Sequence, residues 1–275
     1  MHEFVSKVKG ASYKKGDIIF SEGEASNNCM YFVLSGSLLV TKNINSELIN
    51  LRHLLPENFF GEIALLLPET KRTATVTVES DTARIAYFDF VTFKEIINNT
   101  KFISLLFKDI LTIYKDVIER IVKIPNLKEI NIKDDFEILK QTRKNIRDIL
   151  EYIKIQETFF YNIGKVFIRE GEASKDIIYF ILDGTAKISK TIYNKEIDIA
   201  YLNSGNMLGE DCLLENEKRF YTAKMGETGH VAILDKETFL KTCSIVPDLF
   251  MNIFKQQVFN LYKLEELYFS LAYKK

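Results

Sequence analysis

The sequence predicts a mainly β protein with α: two tandem jelly-roll β-barrels, each followed by helices, with a helical linker between them. Three observations carry that expectation. The chain repeats itself, each copy breaks into short strand-like runs, and the stretches after each run carry apolar residues at helical period. Gly16, Gly23, Gly36 and Gly61 are matched by Gly164, Gly171, Gly184 and Gly209 at a constant offset of 148. Phe20-Ser21-Glu22-Gly23-Glu24-Ala25-Ser26 answers Ile168-Arg169-Glu170-Gly171-Glu172-Ala173-Ser174, and Tyr31 to Gly36 answers Tyr179 to Gly184. The offset falls to 147 at Arg72/Arg219 and to 146 at Asp89/Asp235 and Phe93/Phe239, which two single deletions explain. Register held over about 75 residues identifies an internal duplication.

Within the first copy, 17–20, 30–35, 37–41 and 47–54 are β-branched or aromatic runs bounded by Gly, Asn, Ser and Pro, the composition of short strands. Residues 73–79 and 83–89 form a further pair around Ser80-Asp81. Gly36 and Gly184 sit where a hairpin turns tightly. Eight or so short strands in about 80 residues suggest a small jelly roll. From 102 to 122, Ile103, Leu106, Phe107, Ile110, Ile113, Val117, Ile118 and Ile121 share one helical face, and Pro125 ends the segment. Asp134 and Asp135 are placed to cap a second helix, which runs to about 154 and carries the basic stripe Lys140, Arg143, Lys144 and Arg147. A last helix follows Pro247, with Phe250, Phe254, Val258, Leu261, Leu264 and Tyr268 along it. The expected division is 1–125 for the first unit, 126–154 for the helical linker and 155–275 for the second unit with its C-terminal helix.

The 275 residues hold enough apolar side chains, at 47%, for two cores. A net charge of −1 argues against a protein that coats nucleic acid. No apolar run approaches a membrane span, and the first ten residues lack the core of a signal peptide. Cys29, Cys212 and Cys243 are far apart and set in largely apolar runs, which reads as reduced, buried thiols in a cytoplasmic protein. His2, His53 and His230 do not join them, so no metal site is expected.

The chemistry concentrates in Phe60-Gly61-Glu62-Ile63-Ala64-Leu65-Leu66, followed by Arg72-Thr73-Ala74-Thr75. The second copy offers Leu208-Gly209-Glu210-Asp211-Cys212-Leu213-Leu214, then Arg219-Phe220-Tyr221-Thr222. A glycine that admits close backbone approach, a short helical turn with free N–H groups, and an arginine aimed back at it make an anion site. A glutamate beside that anion repels it, unless it is there to accept a hydrogen bond from a sugar hydroxyl. Phosphate and ribose together describe a nucleotide. The plainer alternative is an ion pair between the Glu and the Arg that closes a loop.

Both halves resemble the cyclic nucleotide-binding domain shared by bacterial catabolite activators, regulatory subunits of cAMP-dependent protein kinase, and cyclic nucleotide-gated channels. The resemblance covers about 13–98 and 163–242, and it rests on the two-part cassette just quoted. It implies that Glu62 accepts the ribose 2′-OH and Arg72 pairs with the cyclic phosphate. Backbone N–H groups of Ala64 and Thr73 complete the cradle, Gly61 permits close approach, and the Thr73 hydroxyl is placed to help hold a guanine. Ile63 belongs to the cassette with its side chain turned to the core. In the second copy Gly209, Glu210 and Arg219 keep their roles, and Cys212 stands where Ala is usual because its N–H alone is used. Phe220 and Tyr221 replace two small residues, and Asp211 replaces an apolar one. Phe220 at the base-facing position either fills the pocket or stacks on the base.

The resemblance implies cAMP or cGMP as a regulatory ligand rather than a catalytic cofactor, and no catalytic triad or paired-carboxylate arrangement suggests an enzyme. A stand-alone receptor that passes ligand binding to an effector protein through moving helices is the expected function, with self-association a further possibility. No direct DNA binding is expected, because the roughly 35 residues after the last strand are too few for a recognition module. A scaffold whose barrels have lost their ligand, or a receptor for a cyclic dinucleotide, are the alternatives.

Overall fold

The duplication is visible in the topology. In a computed structural model, residues 8–67, 69–124, 157–192, 194–214 and 218–273 are described. The first half contains β1 (Lys9–Lys14), β2 (Ile18–Phe20), β3 (Cys29–Ser35), β4 (Leu38–Ile44), β5 (Glu47–Leu54), β6 (Phe59–Phe60), β7 (Thr75–Val78) and β8 (Thr82–Asp89). Its two antiparallel sheets run β1-β8-β3-β6 and β2-β7-β4-β5. The second half contains β9 (Glu157–Tyr161), β10 (Val166–Ile168), β11 (Ile177–Ile181), β12 (Thr185–Ile192), β13 (Lys195–Asn203), β14 (Met207–Leu208), β15 (Thr222–Met225) and β16 (Gly229–Asp235). Its sheets follow the same order, β9-β16-β11-β14 and β10-β15-β12-β13. Two jelly rolls of one topology stand in tandem.

Two edge strands escape the sequence pattern. β1 pairs with β8 from Lys9↔Tyr87 to Lys14↔Thr82, and β9 lies at the matching edge of the second half. Lys-Gly-Ala-Ser-Tyr-Lys has no β-branched residue and little burial, so partner geometry rather than propensity makes it a strand.

The helices are α1 (Glu62–Leu66), α2 (Phe90–Ile96), α3 (Thr100–Val122), α4 (Lys236–Ile245) and α5 (Pro247–Ala272), with a 3-10 turn over Glu210–Leu213. Asp89 and Asp235, equivalent in the repeat, cap α2 and α4 by accepting from the N–H of Thr92 and Thr238. Asn99 caps α3 through Phe102 N–H, and Pro247 occupies the first turn of α5, where its missing N–H costs nothing. None of the described helices is long and apolar enough to cross a membrane. Cys212 and Cys243 are buried, Cys29 is half-buried, and none is paired in a disulfide. The expected helix from 134 to 154 and its basic stripe lie outside the described residues.

All eight apolar positions read on α3 are buried. Their cover comes from both halves of the chain. Phe93 of α2 and Phe107 of α3 meet Phe250 and Phe254 of α5 at ring separations of 5.7–6.3 Å. One continuous apolar cluster therefore links the helices of the first half to the second barrel, while the interior of the first barrel forms its own cluster around Val33, Leu38 and Ile85. α3 also reaches the second barrel, and α5 reaches the first. Arg52 of β5 pairs with Glu265 of α5 at 3.0 Å, and Asn45 Nδ2 donates to the Tyr273 carbonyl at 3.0 Å.

Candidate nucleotide-binding sites

In the first half, β6 delivers the chain to Gly61, whose φ of +79° is open to glycine at little cost. A Cβ there would meet Arg72 Nη1 at 2.8 Å and the Tyr31 ring at 3.2 Å, so both conformation and space require glycine. The five residues of α1 follow, all buried. Arg72 returns to face them because its backbone is pinned: Gly23 N–H donates to its carbonyl at 2.8 Å, and its own N–H donates to the Glu24 carbonyl at 2.9 Å. The same pair of bonds fixes Arg219 through Gly171 and Glu172, which accounts for the shared Glu-Gly-Glu-Ala-Ser string.

Arg72 is only 4% exposed, yet among the described residues no carboxylate pairs with it. Its Nη2 donates to Asn27 Oδ1 at 2.5 Å and to the Cys29 carbonyl at 3.2 Å, and its guanidinium lies 4.0 Å from the centre of the Phe20 ring. Burial pulls its pKa down, the mark of a cation short of counter-charge. Glu62 is 3% exposed, and burial pushes its carboxyl up against the pull of Arg52. Arg52 was not among the residues the sequence singled out. It sits on β5, is answered by Ala200 in the repeat, and has a buried Nε without a hydrogen-bond partner among the described residues. Gly61, Glu62, Ala64, Arg72 and Thr73 surround one pocket of about 400 Å³, part of it open to solvent, and Ile63 and Arg52 also line it. The Thr73 carbonyl is engaged by Lys42 Nζ at 2.5 Å, and Lys42 is paired with Glu22 at 3.2 Å.

Helices from two sources close on this site. Asp109 of α3 accepts from Phe59 N–H at 2.7 Å and from Asn58 Nδ2 at 2.8 Å, directly ahead of the cassette. Its pKa is pushed up to about 7, chiefly by burial and further by the Glu62 charge, against those hydrogen bonds and Arg52. α5 approaches from the other side through Glu265 on Arg52, and Lys42 Nζ stands 5.5 Å from the Phe269 ring centre.

The second half keeps the frame and fills the cradle. Gly209 has φ +82°, and Lys190 bonds the Phe220 carbonyl at 2.8 Å as Lys42 does Thr73. Arg219, however, is ion-paired with Asp211, the residue that stands where the first half has Ile63. Asp211 is fully buried; burial pushes its pKa up, while Arg219 and the N–H groups of Phe220 and Cys212 pull it down. Those N–H groups answer to Thr73 and Ala64. The carboxylate thus sits on the arginine that the resemblance assigns to a phosphate, and its Oδ2 has no hydrogen-bond partner among the described residues. Cys212 N–H also donates to the Gly209 carbonyl at 3.1 Å within the tighter 3-10 turn, so it is not held open for a ligand. Tyr221, which replaces Ala74, puts its hydroxyl on Gly209 N–H at 2.8 Å.

Phe220 has two readings in the sequence, as a ring that fills the pocket or as one that stacks on the base. It is buried edge-on against Tyr221, with ring centres 5.0 Å apart, and it is not among the residues that line the second cavity. The residues that alter this site are Asp211 and Tyr221. Both substitutions are visible in the sequence, but only the structure shows that the Asp211 carboxylate, eight residues before the arginine, reaches it. A cavity of about 740 Å³, partly open to solvent, remains beyond Glu210, walled by Tyr114, Ile118 and Ile121 of α3 and by Gln257 and Asn260 of α5.

The family profile described as "Cyclic nucleotide-binding domain" matches residues 11–100 and again 158–245. A type II regulatory subunit of cAMP-dependent protein kinase from Drosophila melanogaster is 28% identical over 242 residues, covering 87% of this chain. The chain spans 55% of that relative's length. Among solved structures, cAMP-bound PfPKA-R (141-441) is 25% identical, with 95% of this chain and 81% of that one covered, at a TM-score of 0.37. The regulatory domain of Toxoplasma gondii PKA with cAMP is 23% identical, with 88% and 84% covered and a TM-score of 0.32. The profile takes in more than half of the chain, in the two places where the jelly rolls and their cassettes stand, and the chain belongs to the cyclic nucleotide-binding domain family as a tandem member.

Proposed function

We propose that this chain is a cyclic nucleotide receptor that responds through its first half, with cAMP as the ligand and a kinase catalytic subunit-type protein as the effector. The observation that carries the reading is Arg72, a buried guanidinium held by neutral acceptors and aromatic faces. An unpaired buried charge is costly, and a phosphate oxygen pair would offset that cost with short, charge-assisted bonds. In this reading the cyclic phosphate lies on Arg72 and on the N–H groups of Ala64 and Thr73, and the ribose 2′-OH donates to Glu62. Arg52, with its unmet Nε and its bond to Glu265, sits between the ribose position and α5. A ligand that engages Glu62 changes the charge balance around Arg52 and so the hold on α5. That movement, together with the Asp109 tie on α3, is the proposed signal to the effector. The relative from Drosophila melanogaster motivates the choice of cAMP and of a kinase-type partner.

Calorimetric titration with cAMP, cGMP and cyclic dinucleotides tests the ligand. One equivalent of cAMP per chain is expected, with cGMP weaker and cyclic dinucleotides silent. Arg72→Ala removes the phosphate contact, at about 2–5 kcal/mol, and should abolish most binding. Undiminished binding by that variant would overturn the assignment.

A further inference from the structure

We propose that nucleotide binding at the first barrel is coupled to uptake of a proton by Asp109, so that this site responds to pH as well as to its ligand. The inference rests on the reading above, in which the phosphate lies on Arg72 and the ribose hydroxyl on Glu62. Its ground is a cluster that four elements bring together. Three carboxylates, Glu62 of α1, Asp109 of α3 and Glu265 of α5, act on a single guanidinium, that of Arg52 on β5. Glu265 bonds it at 3.0 Å, while its buried Nε has no partner among the described residues. Arg72 acts on Glu62 more weakly than Arg52 does. The other charges of α3 at this edge, Asp116 and Arg120, pair with each other at 2.8 Å, and Arg120 Nη2 donates to the Leu51 carbonyl at 2.7 Å, so together they add no net charge. The second half has no such cluster, because Ala200 stands where Arg52 does.

Three carboxylates against one guanidinium leave an excess of negative charge away from water, and such a cluster keeps a proton. Asp109 is the seat for it. Glu265 is bonded to Arg52, and Glu62 has to be ionised to accept the ribose hydroxyl. Phe59 N–H and Asn58 Nδ2 donate to different oxygens of Asp109, at 2.7 and 2.8 Å, and a neutral carboxyl still accepts both. Burial pushes Asp109 up to about 7, with the Glu62 charge adding to the rise, against those bonds and Arg52. A cyclic nucleotide brings a further negative charge to Arg72 and takes water from around Glu62. Both changes favour the neutral form of the neighbouring carboxyl, while the donated hydroxyl holds Glu62 ionised. The Asp109 pKa therefore rises further in the complex. Below about pH 7 the proton is already in place and affinity is highest. As pH rises past that point, binding has to draw the proton from solution and affinity falls. Nucleotide and proton strengthen each other by the same factor.

Calorimetric titration of the full chain with cAMP tests this. At about pH 7.5 the heat should differ between phosphate and Tris buffers, whose ionisation enthalpies differ, by the amount due to uptake of about half a proton or more. The dissociation constant should rise about five- to tenfold from about pH 6 to about pH 8.5. Asp109→Asn, which fixes the neutral form, should bind cAMP equally tightly at both ends of that range, with equal heats in the two buffers. Should that variant fail to fold, infrared difference spectra of the parent decide instead: cAMP should bring in a protonated-carboxyl C=O band that shifts when the aspartates carry ¹³C. Equal heats in the two buffers, a pH dependence as steep in Asp109→Asn as in the parent, or a band indifferent to labelled aspartate would each overturn the inference while leaving the first-site reading intact. Failure of the parent to bind cAMP at any of these pH values would overturn that reading, and this inference with it.

Discussion

At the scale of single residues, the two halves differ in how one arginine is satisfied. Arg72 is left to neutral acceptors, and Arg219 is given a carboxylate. Position 63/211 decides between them, because the second half sets a carboxylate on the guanidinium from the position where the first half has Ile63. Removing Asp211 alone leaves a buried cation unpaired, so Asp211→Ile should destabilise the chain by about 3–5 kcal/mol, read from the urea midpoint. Combined with Tyr221→Ala, which frees Gly209 N–H, the same change should create a second equivalent of cAMP binding in the titration. A double variant that folds and still takes up one equivalent would show that Asp211 and Tyr221 are not what closes the second cradle.

At the scale of elements, α3 and α5 each serve the barrel they do not follow as well as the one they do. The Arg52–Glu265 pair is the closest link between α5 and the first site, and it is largely shielded from solvent. Glu265→Ala should raise the cAMP dissociation rate about five- to thirtyfold, on the order of 1–2 kcal/mol, with Arg72 untouched. An unchanged dissociation rate in stopped-flow displacement would separate α5 from ligand retention. The tie between α3 and β6 is pH-sensitive. Asp109 has a folded pKa of about 7 against an ordinary 3.8, so the folded chain holds that proton more tightly. The stability this contributes is full below about pH 3.8 and is lost as pH rises through about 7. Glu210, at about 8 against 4.5, acts in the same direction. The part of the stability curve due to these two groups should therefore fall between pH 4 and pH 8, and Asp109→Asn should flatten its lower portion. Urea midpoints across that range check both statements, and a slope as steep in Asp109→Asn as in the parent would remove Asp109 as a source.

At the scale of the molecule, one apolar cluster runs from α2 and α3 through α4 and α5 into the second barrel. Halves that share a core unfold together, so scanning calorimetry should give one transition with calorimetric and van't Hoff enthalpies equal. Two resolved transitions would mean that the Phe93, Phe107, Phe250 and Phe254 contact is weak. Binding of cAMP should protect 61–75 against hydrogen exchange and should also alter exchange in α5. Protection confined to the pocket would leave a binder without a switch.

Much of this was legible before any coordinates. The fixed offset of 148 established the duplication, and the paired cassettes marked two candidate sites, because backbone-permissive glycines and charged residues cannot be traded freely where a loop must cradle an anion. Eight of the ten buried positions of α3 were readable, since helical period is a local property, while Phe102 and Leu111 were not among them. What the sequence could not supply is where that face goes. Arg52 carries no motif and gains its place from the Glu62 and Glu265 carboxylates brought beside it by other segments. Phe220 read as filling the pocket or stacking on the base, and the structure buries it edge-on against Tyr221. Asp211 looked like a mild departure, yet the 3-10 turn delivers its carboxylate to Arg219. Local chemistry determined that there are two cassettes. Which of them keeps an unpaired cation was decided by tertiary structure, because charge compensation depends on distance through space and not along the chain.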